Sequence, residues 1–145
     1  MLVAMRWLAL DVGTRRVGVA VCDADERVAS SLRAFDYAGP EGVAEAVASL
    51  VRTWEVAGVV VGVPLTRSGL GRGERRVADV VTALRRRLEV PIETADERGT
   101  TTAAEELLAA GGVPRRRWPE LVDGVAARLI LERHLANRSV PPARR

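Results

Sequence analysis

The run Val59-Val60-Val61 constrains the fold more than any other part of the sequence. Three adjacent β-branched residues, with no polar residue alternating between them, describe a strand buried on both faces, as in a parallel sheet covered by helices. The flanking segments agree. Pro40-Glu41 opens a helix whose apolar positions Val43, Val47, Leu50, Val51 and Trp54 recur at helical spacing. After a Gly- and Arg-rich loop from Thr66 to Gly73, a second helix carries Val77, Val80, Val81, Leu84 and Leu88 on one face. Pro91 to Ala95 forms a further strand, Thr100 to Ala110 a third helix ended by Gly111-Gly112, and Glu120 to Ala136 a fourth helix after Pro119.

The start of the chain reads differently. Trp7 to Leu10 is a short apolar run, Asp11 to Arg16 a turn, Val17 to Val21 a second strand and Arg27 to Phe35 a weaker third, which together predict an antiparallel meander. Helices alternating with strands after this hairpin-linked start predict an α/β fold with a mixed five-stranded sheet and helices on both faces. A length of 145 residues suits one domain, expected over residues 1–137, with 138–145 as a mobile tail of arginines and prolines.

Hydrophobic residues make up 48% and charged residues 28%, the balance of a globular chain. No apolar stretch approaches a bilayer span, the N-terminus lacks a signal-peptide pattern, and the single Cys22 suits a reducing compartment, so the expected location is cytoplasmic. Cys22 reads as a buried strand residue, because His134 is the only histidine available to activate it. All 22 basic side chains are Arg. The absence of Lys excludes Schiff-base chemistry and a P-loop lysine. Codon bias explains the choice of Arg over Lys, but a pI near 10.3 still favours a polyanionic partner.

Three carboxylates stand where carboxylates are costly. Asp11 ends an apolar strand, where a charge loses hydration. Glu97 lies just beyond the carboxyl end of the fifth strand, where ligand sites of open α/β sheets collect. Asp123 shares a helical face with Ala126, Ala127 and Ile130 and therefore faces packing, while Gly124 beside it suggests close backbone contact. Read singly, Asp11 is a turn former beside Gly13, Glu97 a partner for Arg98, and Asp123 an acid favoured by a helix start. Read jointly, they describe a metal site.

Four segments in order, Leu10 to Ala20, Val61 to Leu65, Asp96 to Thr101 and Val122 to Ala127, resemble the YqgF family, also called Holliday-junction-resolvase-like. The resemblance covers nearly the whole chain. It implies a ribonuclease H-like fold and a nuclease that matures pre-16S ribosomal RNA, with branched or single-stranded DNA as a further substrate class. It also carries the catalytic, metal-binding acids onto Asp11, Glu97 and Asp123, and a basic substrate contact onto Arg15. Two positions depart from the family pattern: Ser68 stands where Asp is usual, and Gly99 where a larger residue is usual.

The chemistry expected is hydrolysis of a phosphodiester with Mg²⁺ or Mn²⁺ held by the three acids. Thr14, Arg15, Arg16, Arg72, Arg75, Arg76, Arg98 and Thr101 are the candidate substrate contacts, since phosphate contacts give affinity without sequence choice. The runs Arg85–Arg87 and Arg115–Arg117 read as solvated surface. Base-stacking platforms are scarce, with Trp7 and Trp54 assigned to the core and Trp118 remaining. The partner is RNA or DNA, and the chain a monomer or homodimer. Two rival readings are a non-catalytic nucleic-acid-binding or ribosome assembly factor, and an actin-like or sugar-kinase ATPase whose first phosphate motif Asp11-Val12-Gly13-Thr14 resembles.

Overall fold

The computed structural model describes residues 6–64, 72–97 and 99–139. Strands β1 (Arg6–Val12), β2 (Arg16–Cys22) and β3 (Ala29–Asp36) form the antiparallel meander. Helix α1 (Gly39–Trp54), strand β4 (Val56–Val63), helix α2 (Arg72–Arg87) and strand β5 (Ile92–Asp96) follow, then α3 (Thr100–Ala110), a 3-10 turn (Arg115–Arg117) and the long α4 (Trp118–Ser139). The sheet order is β3-β2-β1-β4-β5, with β1, β4 and β5 parallel. The mixed five-stranded sheet expected from the sequence is the sheet observed.

Strand alternation divides this sheet into two unlike faces. On one, Leu8, Leu10, Val12, Val17, Val19, Val21, Val59 and Val61 pack with Val43 and Val47 of α1 and Val77, Val80 and Leu84 of α2. Each such side chain taken from water contributes roughly 1.5–3 kcal/mol, which makes this face the main source of stability. The other face carries Trp7, Ala9, Ala20, Cys22 and Val60 against Ala127, Ile130, Leu131 and Leu135 of α4. Its small residues admit α4 close to the strands.

Several boundaries differ from the sequence reading. β1 continues through Val12, so Asp11 lies inside the strand and not in the following turn. Pairing of Asp11 with Gly18 on β2 extends the ladder over residues that read as turn formers. α4 begins at Trp118 and runs through Ser139, so residues 138 and 139, assigned to the tail, are helical. Arg138 is anchored there by Glu26 at 3.3 Å and by stacking over Trp7. Residues 140–145 lie outside the described residues, as does most of the Thr66–Gly73 loop with the Ser68 departure.

Candidate active site at the carboxyl end of the sheet

Asp11 belongs to the same strand face as Trp7 and Ala9, beneath α4. Its neighbours on both sides are glycines. Gly18 is its partner on β2, and Gly62 follows the Leu10–Val61 pair on β4. A Cβ on Gly18 would sit 2.1 Å from the Asp123 carbonyl oxygen. One on Gly62 would sit 2.6 Å from Cδ1 of Ile130 and 2.8 Å from Oε2 of Glu97. These two missing side chains are what allow α4 to bring Asp123 down from one side and Glu97 to fold back over the sheet from the other.

Glu97 is held by its own backbone. Its N–H donates to the Val63 carbonyl at 3.1 Å, and its carbonyl accepts from the backbone N–H of Thr100 at 3.0 Å and the Thr100 hydroxyl at 2.7 Å. Thr100 is buried, whereas Thr101, the threonine singled out from the sequence, is exposed. Gly99 adopts a left-handed conformation at φ 76°, which an ordinary side chain resists, so glycine at this departure from the family pattern suits the turn between β5 and α3.

The carboxyl groups of Glu97 and Asp11 are hydrogen-bonded to each other. Burial first, then the bond to Asp11 and its charge, push Glu97 up to about 9, so Glu97 carries the shared proton and donates it to the Asp11 carboxylate. Asp11 is itself raised, by burial and by the nearby charge of Asp123, with the Glu97 bond acting in the opposite sense. Asp123 is raised by burial and pulled back in part by Arg16, whose Nε lies 3.5 Å from Oδ2. The Arg16 guanidinium also donates to the carbonyl oxygen of Pro119. It therefore ties the β1–β2 hairpin to the first turn of α4.

Thus the three acids singled out from the sequence meet at one end of the sheet, with differing partners. Among the described residues no three His, Cys, Asp or Glu side chains form a ready-made metal cage. Asp11 and Glu97 share a proton, and Asp123 is turned to a guanidinium. The donor set nevertheless fits a divalent cation, because buried carboxylates that must share a proton lack the positive charge such an ion brings.

The other candidates surround this cluster unevenly. Thr14 and Arg15 are exposed on the β1–β2 turn, and Arg75 on the first turns of α2. Arg76 lies over the Tyr37 ring at 5.9 Å, and the Tyr37 N–H donates to the Arg15 carbonyl, which brings α2 to the same rim. Arg16 is occupied by Asp123. Arg98 and the side chain of Arg72 lie outside the described residues. Trp7 and Cys22 are core groups, as the sequence implied, and burial pushes the Cys22 thiol up, which keeps it un-ionised.

The chain is similar to known proteins over most of its length. Residues 5–137 match the family described as RuvX, Holliday junction resolvase. A Chloroflexus aurantiacus protein named "Putative pre-16S rRNA nuclease" is 41% identical over 143 residues, covering 92% of this chain and 89% of its own length. A Desulforudis audaxviator protein of the same name is 38% identical, covering 92% and 96%. Thermus thermophilus RuvC, solved in complex with a Holliday junction substrate, superposes with a TM-score of 0.59 over 92% of this chain and 95% of that one. At 16% identity that likeness shows the fold, which is ribonuclease H-like. With a family match over most of its length and relatives near 40% identity, this chain belongs to the RuvX family, the one that its four sequence motifs resembled under the name YqgF.

Proposed function

We propose that the chain hydrolyses phosphodiester bonds in nucleic acid with a divalent cation, Mg²⁺ or Mn²⁺, held by Asp11, Glu97 and Asp123. The observation that carries this reading is the meeting of three partly buried carboxyl groups over two glycines at the carboxyl end of β1, β4 and β5. When bound, the cation supplies charge neutralisation at the phosphate and activation of water. The chain's own residues do the rest. The Gly18 and Gly62 floor sets the spacing of the acids, the Thr100 bonds hold the Glu97 backbone, and Arg16 keeps α4 seated on the hairpin. Thr14, Arg15, Arg75 and Arg76 serve as phosphate and sugar contacts at this rim, and Arg72, Arg98 and Thr101 are the further contacts assigned from the sequence.

The substrate in this reading is pre-16S ribosomal RNA, processed at its 5′ end, with branched or single-stranded DNA as a second class; the names of its relatives, pre-16S rRNA nuclease and Holliday junction resolvase, support the two classes. No described helix is long and apolar enough to cross a membrane. In this reading the chain acts in the cytoplasm as a monomer or homodimer. One observation favours a second reading, a nucleic-acid-binding assembly factor without turnover: Asp123 is paired with Arg16, and among the described residues no three acids form a finished cage. Assaying Asp11→Asn separates the two. The variant should fold and bind oligonucleotides yet lose Mn²⁺-stimulated cleavage of RNA and DNA. Cleavage by neither protein would favour the second reading, and cleavage equal to wild type would overturn the assignment of the acids.

A further inference from the structure

Beside Asp123, on the side away from Glu97, a groove of about 530 Å³ runs between the edge strand β3 and the first turns of α4. It is lined by Arg16, Leu32, Arg33, Glu120, Leu121 and Val125 among others. Its volume lies within the roughly 300–1,000 Å³ typical of clefts that hold small molecules. The base of the groove is fixed, because the Ser31 hydroxyl donates to the Gly124 carbonyl at 2.7 Å and a Cβ on Gly124 would meet Ser31 at 3.3 Å.

Two features make this groove more than a gap at a sheet edge. First, Val17 pairs with Phe35 and Val19 with Leu32, so Arg33 and Ala34 together stand opposite the single residue Gly18. This is a bulge, which redirects side chains and recurs beside active sites. It falls opposite the glycine over which Asp123 is seated. Second, the charges there are unequally committed. Glu120 is taken up by Arg117 at 3.2 Å, and Arg16 by Asp123, whereas Arg33 makes no ion pair among the described residues. The groove therefore offers one available guanidinium next to the aliphatic surface of Leu121 and Val125.

We infer that this groove holds one unpaired nucleotide of the substrate strand, adjacent to the bond that is cut, with Arg33 on its phosphate and its base against Leu121 and Val125. A duplex presents only backbone to such a surface and has no use for the apolar wall. A nucleotide freed from stacking presents both a phosphate and an apolar face. In a chain with few exposed aromatic residues, an aliphatic wall is the remaining means of holding a base. The inference rests on the proposed function for the identity of its ligand, and extends it from phosphodiesters in general to strands with an unpaired residue at the site.

The test measures binding by fluorescence anisotropy in chelator, so that cleavage plays no part. Probes are a single-stranded RNA decamer, the same sequence in DNA, and the fully paired duplex of each. Arg33→Gln, at an exposed position, should weaken binding of one or both single strands roughly fivefold or more. It should also lower the slope of log affinity against log salt by about 0.7, the loss of one phosphate contact on a single strand. Duplex binding should change less than twofold. Leu121→Ala should weaken the single strands with the salt slope intact, separating the apolar wall from the charge. A larger loss for RNA or for DNA identifies the strand chemistry. Unchanged binding of both single strands by Arg33→Gln, an equal loss on duplex, or no oligonucleotide binding by the wild type would overturn the inference. If Arg33-dependent binding appears without metal-stimulated cleavage, the groove stands and the proposed function falls. If cleavage requires Asp11 while Arg33→Gln binds normally, the reverse holds.

Discussion

The two faces of the sheet are built from alternate residues of the same strands, yet they serve different ends. Toward α1 and α2 the strands present Leu8, Leu10, Val17, Val19, Val59 and Val61, all fully buried. Toward α4 they present Ala9, Asp11, Gly18, Ala20, Val60 and Gly62. The first face maximises buried apolar volume. The second gives up volume so that a helix can approach closely, and it places three carboxyl groups where that approach is closest. Stability and chemistry are thus separated by a two-residue period, and substitutions one position apart should have unlike consequences.

The largest contrast is expected between Gly18→Ala and Leu8→Ala. The new Cβ at position 18 cannot coexist with the Asp123 carbonyl, so α4 must shift, and if Asp123 has the catalytic role proposed for it, a displacement of about 1 Å costs on the order of a hundredfold in rate. The accompanying loss of stability from overpacking should be roughly 1–3 kcal/mol. Leu8→Ala, on the same sheet but the other face, should cost about 2–5 kcal/mol by urea unfolding and leave the rate per folded molecule nearly unchanged. Equal effects of both variants on rate would erase the distinction between the faces.

A second contrast is electrostatic. Glu97 in the folded chain keeps its proton up to about 9, whereas in the unfolded chain it ionises near the ordinary value of 4.5. The unfolded state therefore binds fewer protons between these values, and stability in chelator should fall as pH rises across that window. Glu97→Gln should flatten the profile, as read by thermal denaturation at successive pH values. A wild-type profile that rises from pH 5 to 9 would contradict the shared proton.

At the opposite end of α4 the expected effect is smaller and of opposite sign. Burial lowers the His134 pKa from 6.5, with Glu93, 3.4 Å away, acting against that shift. As pH falls below 6.5 the unfolded chain takes up a proton first, so stability present above that value is lost below it. The position is closely packed, with the Trp7 ring 4.4 Å from the imidazole. His134→Gln should reduce this acid sensitivity without affecting cleavage at neutral pH, measured by denaturation and nuclease assay together.

Much of this was legible in the sequence because hydrophobic period reports burial directly. Val59-Val60-Val61 announced the central parallel strand, the helical spacing of Val43 to Trp54 announced α1, and Asp123 on the face of Ala127 and Ile130 announced an acid turned inward. The role of Gly18 and Gly62 was not legible. Each resembles a strand weakness until it is known which face α4 covers and that Asp11 lies between them. Arg16 read as a phosphate contact, since nothing local distinguishes a guanidinium aimed at solvent from one aimed at an acid more than a hundred residues away. Thr100 and Thr101 are chemically identical in sequence, and only the bond to the Glu97 carbonyl separates them. The bulge of β3 has no signature in Arg33-Ala34 alone, because it arises from the register with β2.

The central claim is that Asp11, Glu97 and Asp123 act as one cation-binding unit over the glycine floor. Crystals soaked in Mn²⁺ and measured at the manganese absorption edge test it directly. An anomalous peak is expected in contact with oxygens of all three residues, with Asp123 released from Arg16. A peak elsewhere, or none at a concentration that supports cleavage, would contradict it.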